Sequence, residues 1–221
     1  MENKKFLDDI KKKLIEWDVL MDFSPEKQVH TLGNGQGLAC SGFFSELPRP
    51  KLAVAMGKPE NEWTVILAHE FSHANQWKEQ ADVWTNLFHD WSRGREEASD
   101  ALDRWLEGED WSESQIQDVV GRIRDVERDC EERTVKLLTT YGLLDDPTEY
   151  IQKSNAYVYF YNHVAKTRKW YEAGKAPYEI PEIWTRAPKE FIKTESTPPE
   201  LEQAFLDVFG GRQDKKSLKF K

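Results

Sequence analysis

The chain has 221 residues, 38% of them hydrophobic and 32% charged, with a formal net charge of −9 from 31 basic and 40 acidic side chains. The apolar share is low for a globular protein, but 9 Trp, 11 Phe and 7 Tyr supply large buriable surfaces, which excludes a disordered, collagen-like or low-complexity chain. The acidic balance argues against nucleic-acid binding, no apolar run is long enough to span a bilayer, and two cysteines, Cys40 and Cys130, make no disulfide framework.

Taken in order, Phe6, Ile10, Leu14, Trp17 and Met21 recur with a helical period over residues 3–21, and Ser24-Pro25 ends the pattern. The lysine-rich start has no apolar core of the kind a secretion signal needs, so the chain reads as cytoplasmic. Between Val29 and Met56, glycines and prolines punctuate short apolar runs, which predicts two or three strands in a small sheet. Gly33, Gly35 and Gly37 do not open a helix, so no phosphate cradle is expected there. Asn61 reads as the N-cap of a helix to about Gln80, and a second helix is expected over roughly Arg95 to Leu106. Ser112 and Gln115 have capping-box spacing, opening a long helix to about Tyr141 with Gly142 after it. Pro147 opens another to about Ala173, and Pro198-Pro199 a short last one ending at Gly210-Gly211. The expectation is a single α+β domain over residues 1–221, mostly helical, with a small N-terminal antiparallel or mixed sheet and an acidic helical insertion at about 81–113.

Charge is unevenly placed. From Asp90 to Glu132 there are 15 acidic and 6 basic residues, whereas the last ten residues, from Arg212, carry five basic and one acidic. A solvated helix face and a frayed end account for both. An arm whose Glu96, Glu97, Asp100, Glu107, Glu109 and Asp110 face water would alternatively attract a protein or peptide with a basic segment.

The most specific pattern is His69-Glu70-Phe71-Ser72-His73 inside the apolar helix. Residues four apart share a helix face, so both imidazoles can reach one zinc ion, while Glu70 projects beside the pair as a base for the attacking water. A catalytic zinc usually takes a third protein ligand. His30, His89, His163 and the acids of the long helix are the candidates. On a helical wheel started at Ile123, Glu127 falls at about 40°, within the buried stripe, and Glu131 at about 80°, on its edge, while Asp129 and Glu132 face away. A carboxylate on a buried face needs a partner or a metal, so Glu127 is the expected third ligand. Glu131 is then placed to fix a ligand histidine's tautomer. Neutralisation of both by Arg124 or Arg128 is the plainer alternative.

These residues resemble the gluzincin branch of zinc metallopeptidases. The run from Glu127 to Leu138 is similar in spacing to the third-ligand helix of ImmA/IrrE-type peptidases, with Glu127 in the ligand place. It departs from that pattern at Glu131, where the family prefers asparagine, and at Tyr141-Gly142-Leu143, where a proline is expected. The whole also resembles uncharacterised metallopeptidases carried by bacteriophages, which would place it in the host cytoplasm. The resemblance implies a zincin-like fold, zinc as cofactor, hydrolysis of peptide bonds in a protein substrate, and Lys51–Gly57 as an edge strand that pairs with that substrate. An oxyanion donor is also required, and His163 or Tyr159, in line with Asn155 on the helix after Pro147, are the candidates. A catalytically silent zincin-like protein that binds or inhibits through its acidic surface is the alternative, and a structural component of a larger particle a third.

Overall fold

In the computed structural model, residues 2–31, 37–91 and 94–210 are described. The basic tail from Arg212 and Gly33 and Gly35 lie outside them. The fold is mixed α/β, about 56% helical, with small sheets of two or three strands. No helix among the described residues is long and apolar enough to cross a membrane.

Internal contacts gather the chain into two compact units, Met1–Thr85 with Asp129–Pro147, and Asn86–Arg128 with Thr148–Lys221. The acidic helical insertion expected at about 81–113 falls in both units. The head of that arm, through Thr85, belongs to the first unit, and the rest begins the second.

In the first unit, helix α1 (Glu2–Glu16) leads into strand β1 (Leu20–Ser24), followed by β2 (Val29–His30), β3 (Ala39–Cys40), β4 (Gly42–Ser45) and β5 (Lys51–Ala55). Helix α1 stops earlier than its apolar period suggests. Asp18 takes a left-handed conformation (φ 55°), and the Val19 N–H closes onto the Leu14 carbonyl at 2.9 Å. Met21 therefore lies on β1, opposite Leu52. The sheet order is β1-β5-β4, with β1 parallel and β4 antiparallel to β5, while β2 and β3 pair separately. Strand β5 is thus central rather than an edge, because both its flanks are taken. Its neighbors β1 and β4 are the two edge strands of this sheet.

Helix α2 (Glu60–Glu79) carries the histidine pattern. It starts one residue before Asn61, after Pro59, with Glu60 and Glu62 in its first turn favoring the positive end of the helix dipole. It packs across β4 and β5 over a core of Phe6, Ile10, Leu14, Leu52, Val54, Leu67 and Phe71, joined by Leu138. A short helix α3 (Asp82–Thr85) sets buried Trp84 against Phe44 of β4.

The second unit opens with a hairpin, β6 (Phe88–Trp91) and β7 (Gly94–Glu97), where helix was expected to begin at Arg95. Helix α4 (Ala98–Leu106) follows. Half of the expected solvent-facing acids are used internally: Arg104 pairs with both Glu96 and Glu109 and lies over Trp111, and Glu97 accepts from Ser99, while Asp100, Glu107 and Asp110 remain exposed. Helix α5 (Glu113–Thr140) opens on the expected capping box, since Ser112 N–H donates to the Gln115 side chain and Gln115 N–H to Ser112 Oγ. This helix passes from the second unit to the first between Arg128 and Asp129. Helix α6 (Thr148–Thr167) is followed by a 3-10 turn (Pro177–Glu179), α7 (Pro181–Trp184) and α8 (Pro199–Phe209).

The irregular stretch from Thr185 to Thr197 is held by side chains of α6 and α5 through its backbone carbonyls. Gln152 donates to Thr185 and Ala187, Asn155 to Pro188 and Glu190, Tyr159 to Ile192, and Asn162 and Arg124 to Glu195. Buried carbonyls must be satisfied, and here the polar line along α6 does it. Replacing Asn155, which is fully buried, with alanine orphans two carbonyls. A loss of about 2 kcal/mol in urea unfolding is expected, against under about 0.5 kcal/mol for the exposed Gln203→Ala.

Candidate metal centre

The site in the first unit is built on α2 and the C-terminal part of α5. Three small side chains bring the helices together. Cys130 Sγ lies 3.3 Å from the His69 carbonyl, and Thr134 Oγ1 lies 3.0 Å from Ser72 Oγ, whose own proton goes to the Ala68 carbonyl at 2.8 Å. Buried polar groups so close are tolerated because each is hydrogen-bonded.

This approach brings α5 onto the histidines. His69 and His73 stand edge to face with ring centroids 4.8 Å apart. Glu131 Oε1 is 3.2 Å from His69 Nδ1, the position from which a carboxylate fixes a ligand histidine's tautomer. Burial opposes a charge on His69, yet Cys130 and Glu131 together hold its pKa well above the ordinary value. Burial and the neighboring His69 push His73 down to about 3, so this ring is neutral near pH 7. His73 Nδ1 is 2.9 Å from Gln76 Oε1, and Gln76 Nε2 donates to Asp129 Oδ2 at 2.8 Å. Trp84 of α3 stands beside the His73 ring at 6.2 Å.

Glu70 is buried against the sheet edge. A Cβ on Gly42 of β4 would come within 3.0 Å of Glu70 Cγ and 2.6 Å of Ile66 Cγ2, so only glycine lets the strand lie this close. Burial pushes the Glu70 carboxyl up to about 7, against the pull of His69 and of the Phe44 N–H. A carboxylate with that pKa is matched to proton transfer at neutral pH. The Cys40 thiol on β3 is raised by burial and by Glu70, which keeps it protonated.

Among the described residues, the group close enough to hold a metal ion is His69, His73 and Cys130, with donor atoms within 4.8 Å of one another. Glu127, the expected third ligand, is not in it. Its carboxylate acts electrostatically on Tyr157 and Tyr161 of the second unit, whose hydroxyls lie 2.9 Å apart and whose pKa values burial and that charge raise. Cys130 approaches His69 at Nδ1 (3.6 Å), the nitrogen beside Glu131, so the thiol stands away from the Nε2 edge. The donor set suits zinc or another divalent metal that takes nitrogen and sulfur or carboxylate ligands.

Other assignments change. Asp129, expected to face away, joins Gln76 and Arg133. Its role was hidden because a wheel ranks directions, whereas the fully buried Gln76 creates the demand for a partner. Gln76 itself, three residues after His73, was the overlooked signal. Tyr159 has its hydroxyl on the Ile192 carbonyl and Asn155 bridges two carbonyls, so the polar line read as a source of oxyanion donors serves to anchor the chain. His163 stacks on Phe160 and packs against Phe205 and Phe209, lining a cleft of about 630 Å³ within the second unit with Trp105 and Trp111. His89 sits on the hairpin beside Trp91, and His30 is exposed on β2.

Comparison with known proteins adds no relative: no family model matches the chain, and no curated protein or solved structure matches it.

Burial and Lys166 lower the His163 pKa to about 4. An unfolded histidine takes up its proton near pH 6.5, so between that value and about 4 the unfolded chain binds a proton that the native chain refuses. Stability contributed by neutral His163 is therefore present above pH 6.5 and lost as pH falls toward 4. Thermal melts at pH 7 and pH 5 should show a smaller acid-induced drop for His163→Gln than for the parent.

Proposed function

We propose that the chain is a zinc-dependent metallopeptidase with a zincin-like active-site helix. The observation that carries this reading is the placement of buried Glu70, with a pKa near 7, between two histidines whose Nδ1 atoms are both engaged, His69 by Glu131 and His73 by Gln76. With Nδ1 so engaged, each ring would meet a metal through Nε2. A zinc ion held by them supplies Lewis acidity toward water and a peptide carbonyl. Glu70 takes the proton of the attacking water on its carboxylate and delivers it to the departing amine nitrogen. Glu131 and Gln76 hold the rings in the ligating orientation.

The third ligand is drawn from α5, where Glu127, Cys130 and Glu131 share a face by their spacing of three and four. The resemblance favors Glu127. The engaged Nδ1 of His69 counts against Cys130, because coordination on that edge would displace Glu131. The exposed acids Asp100, Glu107 and Asp110 favor a protein substrate with a basic segment.

Metal content by mass spectrometry and cleavage of a fluorogenic peptide library test this. The parent should carry one zinc per chain. His69→Ala and His73→Ala should each lose it, Glu127→Ala should lose most of it, and Cys130→Ser should keep it. Glu70→Gln should bind zinc normally while hydrolysis falls at least about a hundredfold. Zinc retained in the His69/His73 double variant would sink the site. Zinc bound with no hydrolysis of any peptide by the parent would instead favor a binding protein.

A further inference from the structure

We propose that Gln76, oriented by Asp129, sets the tautomer of His73 and so decides which ring nitrogen faces a metal. The inference rests on the metal-site reading above and adds three residues outside the histidine pattern: Gln76, Asp129 and Arg133.

Gln76 is fully buried, and its amide is used at both ends. An amide can in principle turn over, exchanging oxygen for NH2, and a neutral imidazole can carry its proton on either nitrogen. Two ambiguities therefore meet at one contact, and either could reverse the other. The charge at the far end removes both. Asp129 Oδ2 accepts from Arg133 Nε at 2.6 Å, and Arg133 NH1 is tied in turn to Glu79 at 2.7 Å and Asn75 at 3.1 Å. A carboxylate oxygen that already accepts from arginine presents an acceptor to its other partner as well. The end of Gln76 that faces it must then be NH2, so the end facing His73 must be oxygen. Oxygen only accepts, so Nδ1 of the neutral ring must carry the hydrogen. The lone pair is left on Nε2.

The partners act in order. Arg133 keeps Asp129 an acceptor, Asp129 turns Gln76, and Gln76 turns the proton on His73. His69 is set by a shorter route, Glu131 directly on its Nδ1. One ligand thus leans on a carboxylate at first hand and the other through an amide. None of the three proposed residues touches a reacting atom, and all are positioning residues.

The test uses full-length protein labelled with 15N-histidine, freed of metal by chelation, and long-range 1H–15N spectra that distinguish the two tautomers. The parent should show His73 as the single Nδ1–H form. Asp129→Asn presents either end of an amide to Gln76, so His73 should become a tautomer mixture, with zinc affinity about tenfold weaker. Gln76→Leu should do the same. Gln76→Glu keeps an acceptor toward His73 and should keep the Nδ1–H form. A role in packing alone would lower thermal stability in Asp129→Asn and Gln76→Leu with the tautomer unchanged. The proposal is overturned if His73 keeps one Nδ1–H form in both of those variants, or if the parent carries the proton on Nε2. If the tautomer responds as expected while the parent binds no zinc, the orientation chain stands and the metal reading fails.

Discussion

The close approach of α2 to the C-terminal part of α5 is the constraint from which the site follows. It is made at Ser72, Cys130 and Thr134, side chains small enough for two helix backbones to lie near each other, with the two hydroxyls and the thiol spending their protons inside the seam. Thr134 and Cys130 are fully buried, so a larger side chain at either position has nowhere to go and would wedge the helices apart. A wedge of an ångström would separate Glu131 from His69 and Asp129 from Gln76 together, since both acids ride on the same turn of α5. The second constraint is Gly42, which sets the opposite wall at the Glu70 side chain. Glu70 is thus held between a strand that tolerates no Cβ and a helix that tolerates no bulk.

Electrostatics in the second unit follow a different plan. The acidic surplus between Asp90 and Glu132 looks like an unscreened field when counted along the chain. Arg104 absorbs two of those carboxylates, and Arg168 adds bonds to the Trp105 and Glu109 carbonyls while lying over the Trp105 ring. Guanidinium groups suit this work because their planar forks serve several acceptors and an aromatic face at once. What is left uncompensated is concentrated on α4 and just after it, where burial and the charges of Asp100 and Glu107 raise the Asp103 carboxyl.

Much of this is legible in the sequence. The capping box at Ser112, the left-handed Gly142 and Gly210 after their helices and the apolar stripe of α2 all follow from local chemistry. The histidine pair follows from helical spacing alone. What was hidden depends on contacts distant in sequence. Met21 fits a helical period, yet it pairs with Leu52, because strand pairing overrode a coincidence of spacing. Lys51–Gly57 was expected at an edge, but a local run carries no sign of how many neighbors it will have. The hairpin at Phe88–Glu97 is masked by acids that are poor strand formers, which cross-strand pairing overcomes. Asn155 and Tyr159 announced that α6 had polar work to do, without saying that the work was holding another stretch of backbone.

That arrangement on α6 has a bearing on variation. The segment from Thr185 to Thr197 is gripped through its carbonyl oxygens, which every amino acid possesses, by side chains that few amino acids could replace. Tolerance is therefore reversed from the usual expectation for helices and loops. Within the irregular segment, side-chain identity is free to drift wherever it points outward, apart from Thr197, whose buried hydroxyl accepts from Asn162 at 3.0 Å. On the regular helix, Gln152, Asn155, Tyr159 and Asn162 are each committed by reach and by donor geometry. An irregular stretch of backbone can thus vary in its outward side chains without changing where it lies, because what holds it is written on the helix beside it.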